Sequence, residues 1–255
     1  PGLLPLPIQY KDYAEWERSE ANQNRIQKQE EYWLKELSGE LPVLDLPTDK
    51  PRPGILTYNG DMIACDLDRG IYQSFQRIAQ KERTTMFVVF LAAFFLFLSR
   101  LSGERDIIVG TIAANRNQPE LEYLIGLFFN IIALRYEVRG EISFQQMVKE
   151  VKHKVVNGFT NGEYSFDRLI EKLNPPRDTS RSPIFNVMFQ WDDIRGKNIQ
   201  MEGIDFQVLR KASNGTAKFD LKLRVREPFD QGAKLVIEYN TDLFHQATIQ
   251  KRLQE

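Results

Sequence analysis

An α/β fold with a mixed sheet flanked by helices is predicted for this chain, on three observations. Strand-like apolar stretches alternate with segments of helical periodicity from residue 60 onward. The candidate Ile184–Trp191 is apolar at almost every position, as in a strand covered on both faces. Phe219–Arg226 and Leu235–Tyr239 are separated only by a short turn region, so part of the sheet must run antiparallel.

The elements follow in order. Residues 1–7 carry three prolines and read as an extended linker. From Tyr10 a helical pattern runs through Tyr13, Trp16, Ile26, Tyr32, Trp33 and Leu37, and stops at Ser38-Gly39. Four prolines in residues 42–53 exclude a helix or a central strand and leave a draped loop. Gly60–Leu67 reads as a strand. Asp68 caps a helix reaching about Glu82, with Phe75, Ile78 and Ala79 on one face. Thr84 is expected to cap a buried helix, Met86–Leu101, which Ser102-Gly103 stops. Ile107–Ile112 is a strand, Asn115–Glu120 a loop, and the apolar run Ile125–Leu134 a further buried strand. Phe144–Val156 and Tyr164–Leu173 read as helices, the second ended by Pro175-Pro176. Strands at Ile184–Trp191, Ile204–Leu209, Phe219–Arg226 and Leu235–Tyr239 follow, with a meander over Gly203–Tyr239 and a closing helix near Phe244.

Composition narrows the function. Hydrophobic residues make up 42% and charged residues 27% of 255 positions, enough for an ordinary core. The formal net charge is -1, so no overall basic field favours nucleic acid or an anionic membrane. The longest uninterrupted apolar run, Met86–Leu98, is too short to span a bilayer. One cysteine, Cys65, excludes an intrachain disulfide and fits a reducing, cytoplasmic setting. Pro1 stands where a methionine is usual, and the expectation is a fragment of a longer polypeptide.

Chemistry-bearing residues are sparse. His153 lies between Lys152 and Lys154, the pattern of a solvated helix face, and His245 reads as a cap-region or surface residue. Cys65, beside Ala64 in a strand, reads as a core thiol. Gly110 is a lone glycine in a strand, not part of a phosphate loop. The pairs Asp66/Asp68 and Asp192/Asp193 sit at element ends, as caps and turns do. No catalytic set and no metal site emerges from these residues alone.

Four stretches nevertheless match a family pattern in order. Tyr10-Lys11-Asp12-Tyr13-Ala14-Glu15-Trp16 resembles Y-x-D-Y-A-x-W, and Ile125–Arg135 resembles I-G-x-F-V-N-T-x-x-x-R with Ile131 in place of threonine. Asn161–Asp167 resembles H/N-x-D/E-x-P-F-E, with Ser165 replacing the proline, and Arg177–Phe185 resembles R-D-x-S-R-x-P-L/I-F. Val109–Arg116 and Lys218–Leu221 also look like segments of the same family, the condensation domains of nonribosomal peptide synthetases. The resemblance covers nearly the whole chain, but the family's H-H-x-x-x-D-G motif is not in it.

The resemblance implies a chloramphenicol-acetyltransferase-like lobe: residues 1–57 as linker and helix after the missing motif, and 58–255 as the C-terminal lobe. It implies amide-bond formation between thioesters held on the phosphopantetheine arms of carrier domains, with no directly bound cofactor and no catalytic residue in this chain. Expected partners are carrier domains, an N-terminal lobe and a downstream adenylation domain. Arg116 resembles the arginine that pairs with the motif's aspartate; a solvated loop arginine is the alternative. Asn130 and Gln190 are expected to line the substrate tunnel, and Arg177, Asp178 and Arg181 to organise their loop. A non-catalytic docking or scaffold module, or part of an epimerization or heterocyclization domain, stays open; Phe185–Phe189 departs from the epimerization pattern F-N-Y-L-G.

Overall fold

The computed structural model describes residues 5–193, 213–227 and 232–254. Six strands appear there: β1 (Gly60–Asp66), β2 (Asp106–Ala113), β3 (Asn130–Glu137), β4 (Val187–Asp193), β5 (Leu221–Glu227) and β6 (Lys234–Asn240). They form one sheet in the order β1-β6-β5-β4-β2-β3. The β4 strand runs parallel to both neighbours, and every other pairing is antiparallel, so the sheet is mixed. The expected strand at Ile204–Leu209, and with it the start of the meander, lies outside the described residues.

The helices are α1 (Tyr10–Glu17), α2 (Glu20–Glu36), α3 (Arg69–Lys81), α4 (Met86–Ser102), α5 (Phe144–Thr160), α6 (Phe166–Leu173) and α7 (Gln246–Gln254). The α4 helix is apolar on nearly every side, and eight of its residues are buried. Phe87 and Phe94 meet Phe189 of β4, and Phe90 meets Trp191, so α4 covers that face of the sheet. Alternation along the strand sends Met188, Gln190 and Asp192 to the other face. Trp33 and Leu37, with Leu44 and Leu46 of the proline-rich segment, enter the same core as α4, β2 and β4. Residues before and after position 57 therefore share one core.

Several expectations shift. The first helical pattern is two helices, because Ser19 caps α2 by accepting from Asn22 N at 3.4 Å. The cap of α4 is Thr85 rather than Thr84, and its Oγ1 accepts from Val88 N; Gly103, at φ 81, ends the helix as expected. The run Ile125–Leu134 is a strand only from Asn130, since Ile125 is 94% exposed while Phe128 turns inward. Cys65 is half-buried on the edge strand β1 rather than in the core. Among the described residues no single helix is long and apolar enough to cross a membrane; α3 and α4 are bent 115° from each other.

Candidate functional site

The β2 strand ends at Ala113 directly opposite Asn130, where β3 begins. This end of the sheet meets the turn between α5 and α6. Asn130 Nδ2 donates to Gly162 O at 2.9 Å and to Tyr164 O at 2.6 Å, while its Oδ1 accepts from Phe166 N at 3.2 Å. Asn115, held at φ 51, donates to the same Gly162 O at 3.0 Å. Gln29 of α2 accepts from Glu163 N and Tyr164 N at 3.1 and 2.9 Å. Three amide side chains from three elements thus hold one turn through its peptide groups. Tyr164 OH donates to Glu30 at 2.8 Å; this hydrogen bond lowers the Glu30 pKa, and burial raises that of Tyr164.

An aromatic box stands beside this knot. Tyr10 and Tyr13 of α1 pack edge-on against Phe128, and Tyr10 OH donates to Leu127 O at 3.1 Å. The Tyr10 ring occupies the space a side chain at Gly126 would need. Arg116 lies with its guanidinium 4.2 Å from the Phe128 ring centroid and donates to Leu121 O. Glu163 pairs with Arg25 and accepts from Asn117. Burial first, then the charges of Glu17 and Glu163, push the Tyr13 phenol up to about 12, so it stays protonated at neutral pH.

The loop before β4 forms a second centre. Asp178 Oδ1 accepts from Ser180 N at 2.8 Å and Ser180 Oγ at 2.6 Å, and these bonds hold its pKa down. Arg181 pairs with Asp45 at 2.7 Å, sits 3.6 Å from Asp178 and donates to Leu44 O at 3.1 Å. Arg177 is exposed and makes no hydrogen bond or ion pair among the described residues. Ile184 adopts φ 71 with Phe185 N donating back to Pro183 O at 2.9 Å, a tight three-residue turn that strains a β-branched residue. Beneath it Asn186 Nδ2 donates to Leu44 O and Asp220, and Asp220 is paired with Arg52.

The structure brings Arg116 and Asn130 to one corner and Asp178 and Arg181 to another; Phe166 and Phe185, 5.4 Å apart, join the two. Gln190 lies apart, on the face of β4 opposite α4, donating to Asp192 at 2.7 Å. His153 and His245 are exposed. Asn115, Gln29, Asn186, Asp220 and Arg52 were not singled out by sequence reasoning. For Asn186 the signal was the same as for Asn130, an amide inside an apolar run. Arg52 gave none, because its partner lies 168 residues away.

Comparison with known proteins gives a consistent picture. The family model described as "Condensation domain" matches residues 3–255. The chain is 43% identical over 249 residues to surfactin synthase subunit 1 of Bacillus subtilis (strain 168), covering 98% of this chain and 7% of that protein. It is 37% identical over 250 residues to bacitracin synthase 1 of Bacillus licheniformis, covering 98% of this chain and 5% of that protein. Among solved structures, the X-domain from teicoplanin biosynthesis matches with TM-score 0.86 at 24% identity, covering 100% of this chain and 59% of that one. The condensation domain of the monacolin K polyketide synthase MokA matches with TM-score 0.80 at 18% identity, covering 95% and 58%. The likeness to these structures establishes the fold, and the chain spans a small part of its curated relatives.

Proposed function

The chain belongs to the condensation-domain family, and from that premise we propose that it is the C-terminal part of a nonribosomal peptide synthetase condensation domain. The observation that carries this reading is the family match across residues 3–255, with the motif stretches converging on adjoining corners of one sheet. In the proposed reaction the amine of an acceptor aminoacyl thioester attacks the donor thioester carbonyl. An amide forms, a thiolate leaves and the amine loses a proton. Both substrates arrive on phosphopantetheine arms of carrier domains, and this chain contributes a tunnel wall and positioning.

The proton calls for a base this chain does not position, since both its histidines are exposed. We assign it to an H-H-x-x-x-D-G segment of an N-terminal lobe, without which this chain is inactive. Residues 1–57 then form the connection from that lobe, and 58–255 the C-terminal lobe, in a cytoplasmic assembly followed by an adenylation domain. To Arg116, which lies beside Phe128, we assign pairing with the motif's aspartate, a bidentate charge-assisted contact. Asn130 and Gln190 act as positioning residues, and Arg177 with Asp178 and Arg181 organises its loop. In an assembled domain, Arg116→Ala should lower dipeptide formation at least tenfold with the melting temperature nearly unchanged; unchanged activity would remove the pairing role.

The exposed histidines equally favour a second reading, a docking module without chemistry. Membership in an epimerization or heterocyclization subtype would change the reaction rather than the fold. The deciding experiment mixes this chain with a separately expressed N-terminal lobe and assays dipeptide formation between two loaded carrier domains. Product only in the mixture, lost on mutating the upstream histidine, supports condensation. A folded complex that binds carriers and yields no product supports docking.

A further inference from the structure

The face of the sheet opposite α4, which carries no helix among the described residues, bears a strip of charge. On β5, Lys222, Arg224 and Arg226 project to the same side. The register sets Gln190 beside Arg224, Asp192 beside Arg226, and Glu238 of β6 beside Lys222. Asp192 Oδ2 lies 3.3 Å from Arg224 Nη2 and 3.1 Å from Arg226 Nε, while its other oxygen takes the amide of Gln190. Two guanidinium groups therefore share one carboxylate. Among the described residues Lys222 has only the distant Glu238 oxygen, at 3.8 Å.

Among the described residues the three cations of β5 thus face two carboxylates, Asp192 and Glu238, on side chains that are 14% to 22% exposed, and the neighbouring Lys234 is paired with Asp66. Arg224 Nε is buried and, among the described residues, has no hydrogen-bond partner. A buried N–H on a charged group is costly to leave unpaired, so this is an open position for an acceptor. The surplus positive charge favours an anion over a neutral carbonyl. A carboxylate fits best, because one oxygen can take the Arg224 Nε proton while the charge offsets Lys222. Burial already lowers the Lys222 pKa, and an incoming anion would reverse that shift.

We propose that this strip, centred on Arg224 Nε, binds a carboxylate. Resting on the condensation reading, that carboxylate is the side chain of an acidic aminoacyl substrate, so Arg224 and Lys222 set substrate specificity. The site test titrates the full chain with glutarate, and with glutaramide as neutral isostere, while following guanidinium ¹⁵N resonances. Glutarate should shift the Arg224 Nε–H signal saturably and bind at least tenfold tighter than glutaramide. Arg224→Gln should abolish the preference with backbone amide signals otherwise unchanged. If that variant does not fold, Arg224→Lys, which keeps charge but lacks the Nε donor, should weaken glutarate binding at least fivefold. Equal response to both probes, or glutarate binding unchanged in the folded variant, overturns the site.

A second arm compares glutamyl and glutaminyl carriers in the assembled domain. Wild type should favour glutamyl at least tenfold in kcat/KM, and Arg224→Gln should lose that preference. Condensation without preference overturns the substrate assignment. Failure to condense any substrate counts against the condensation reading and with it this substrate assignment, while the NMR titration still decides whether the carboxylate site exists.

Discussion

Asn130 directs both donors and its acceptor at the backbone of the turn that follows α5. Its side chain is therefore a clamp, and replacing it tests packing before it tests chemistry. Asn130→Ala should cost about 1–3 kcal/mol in urea unfolding, from partners left unpaired. Asn130→Asp should cost more, since a carboxylate cannot donate and would face two carbonyl oxygens; an aspartate variant as stable as wild type would show those donations to be unimportant. Asp178 gives a test by pH. Its pKa is lowered mainly by the Ser180 hydroxyl and backbone N–H, so its contribution is present above the unfolded value near ~3.9 and is lost as pH falls through the lower folded value. Melting temperatures from pH 6 to pH 3 should show Asp178→Asn below wild type at the upper end, with the gap closing towards the acid end. A constant gap would place the effect elsewhere. Asn130 itself was legible in the sequence, as an amide among apolar residues, whereas its partners were not. They belong to a turn 32 to 36 residues further on, and nothing local encodes that approach.

At the scale of elements, legibility followed the strength of the local signal. The α4 helix was visible because its long apolar run is followed within one turn or so by Gly103, whose φ of 81 suits glycine. The Arg18-Ser19 break between α1 and α2 was hidden, because residues 17–25 are polar apart from Ala21 and carry no glycine or proline, while Ser19 and the buried Asn22 stop the first helix. The start of β3 was misplaced because hydrophobicity alone cannot separate a strand from an apolar surface segment. That segment also fixes α1. The Tyr10 ring rests on Gly126, where any Cβ would overlap it. Gly126→Ala should therefore displace α1 while leaving the sheet intact. Limited proteolysis should then cut within residues 5–18 at least tenfold faster, with far-ultraviolet dichroism nearly unchanged. Equal cleavage rates would mean that Tyr10 finds another seat. Ser19→Ala should cost about 1 kcal/mol through loss of the α2 cap, read from the urea midpoint.

Taken whole, the molecule exposes several large apolar side chains, and four of them follow one another at alternate positions. Tyr123, Ile125, Leu127 and Phe129 are 56% to 94% exposed along the segment entering β3, beside the corner that holds Arg116 and Asn130. Their neighbours Leu124 and Phe128 are buried with Leu121, so the segment is anchored and its outward face is held in place. A fixed, contiguous apolar face of this kind marks an interaction surface. Under the proposed function it is where an N-terminal lobe packs, which also explains why the Arg116 rim lies at its border. The isolated chain should then self-associate through this face. In sedimentation velocity, wild type should show a sedimentation coefficient that rises with concentration. Ile125→Lys combined with Leu127→Lys should hold it at the monomer value with the urea midpoint shifted by less than about 0.5 kcal/mol, as expected for exposed positions. Addition of the N-terminal lobe should suppress wild-type self-association and fail to bind the double variant. A double variant that still associates would place the contact elsewhere, and one that stays monomeric yet binds the lobe normally would separate self-association from lobe packing.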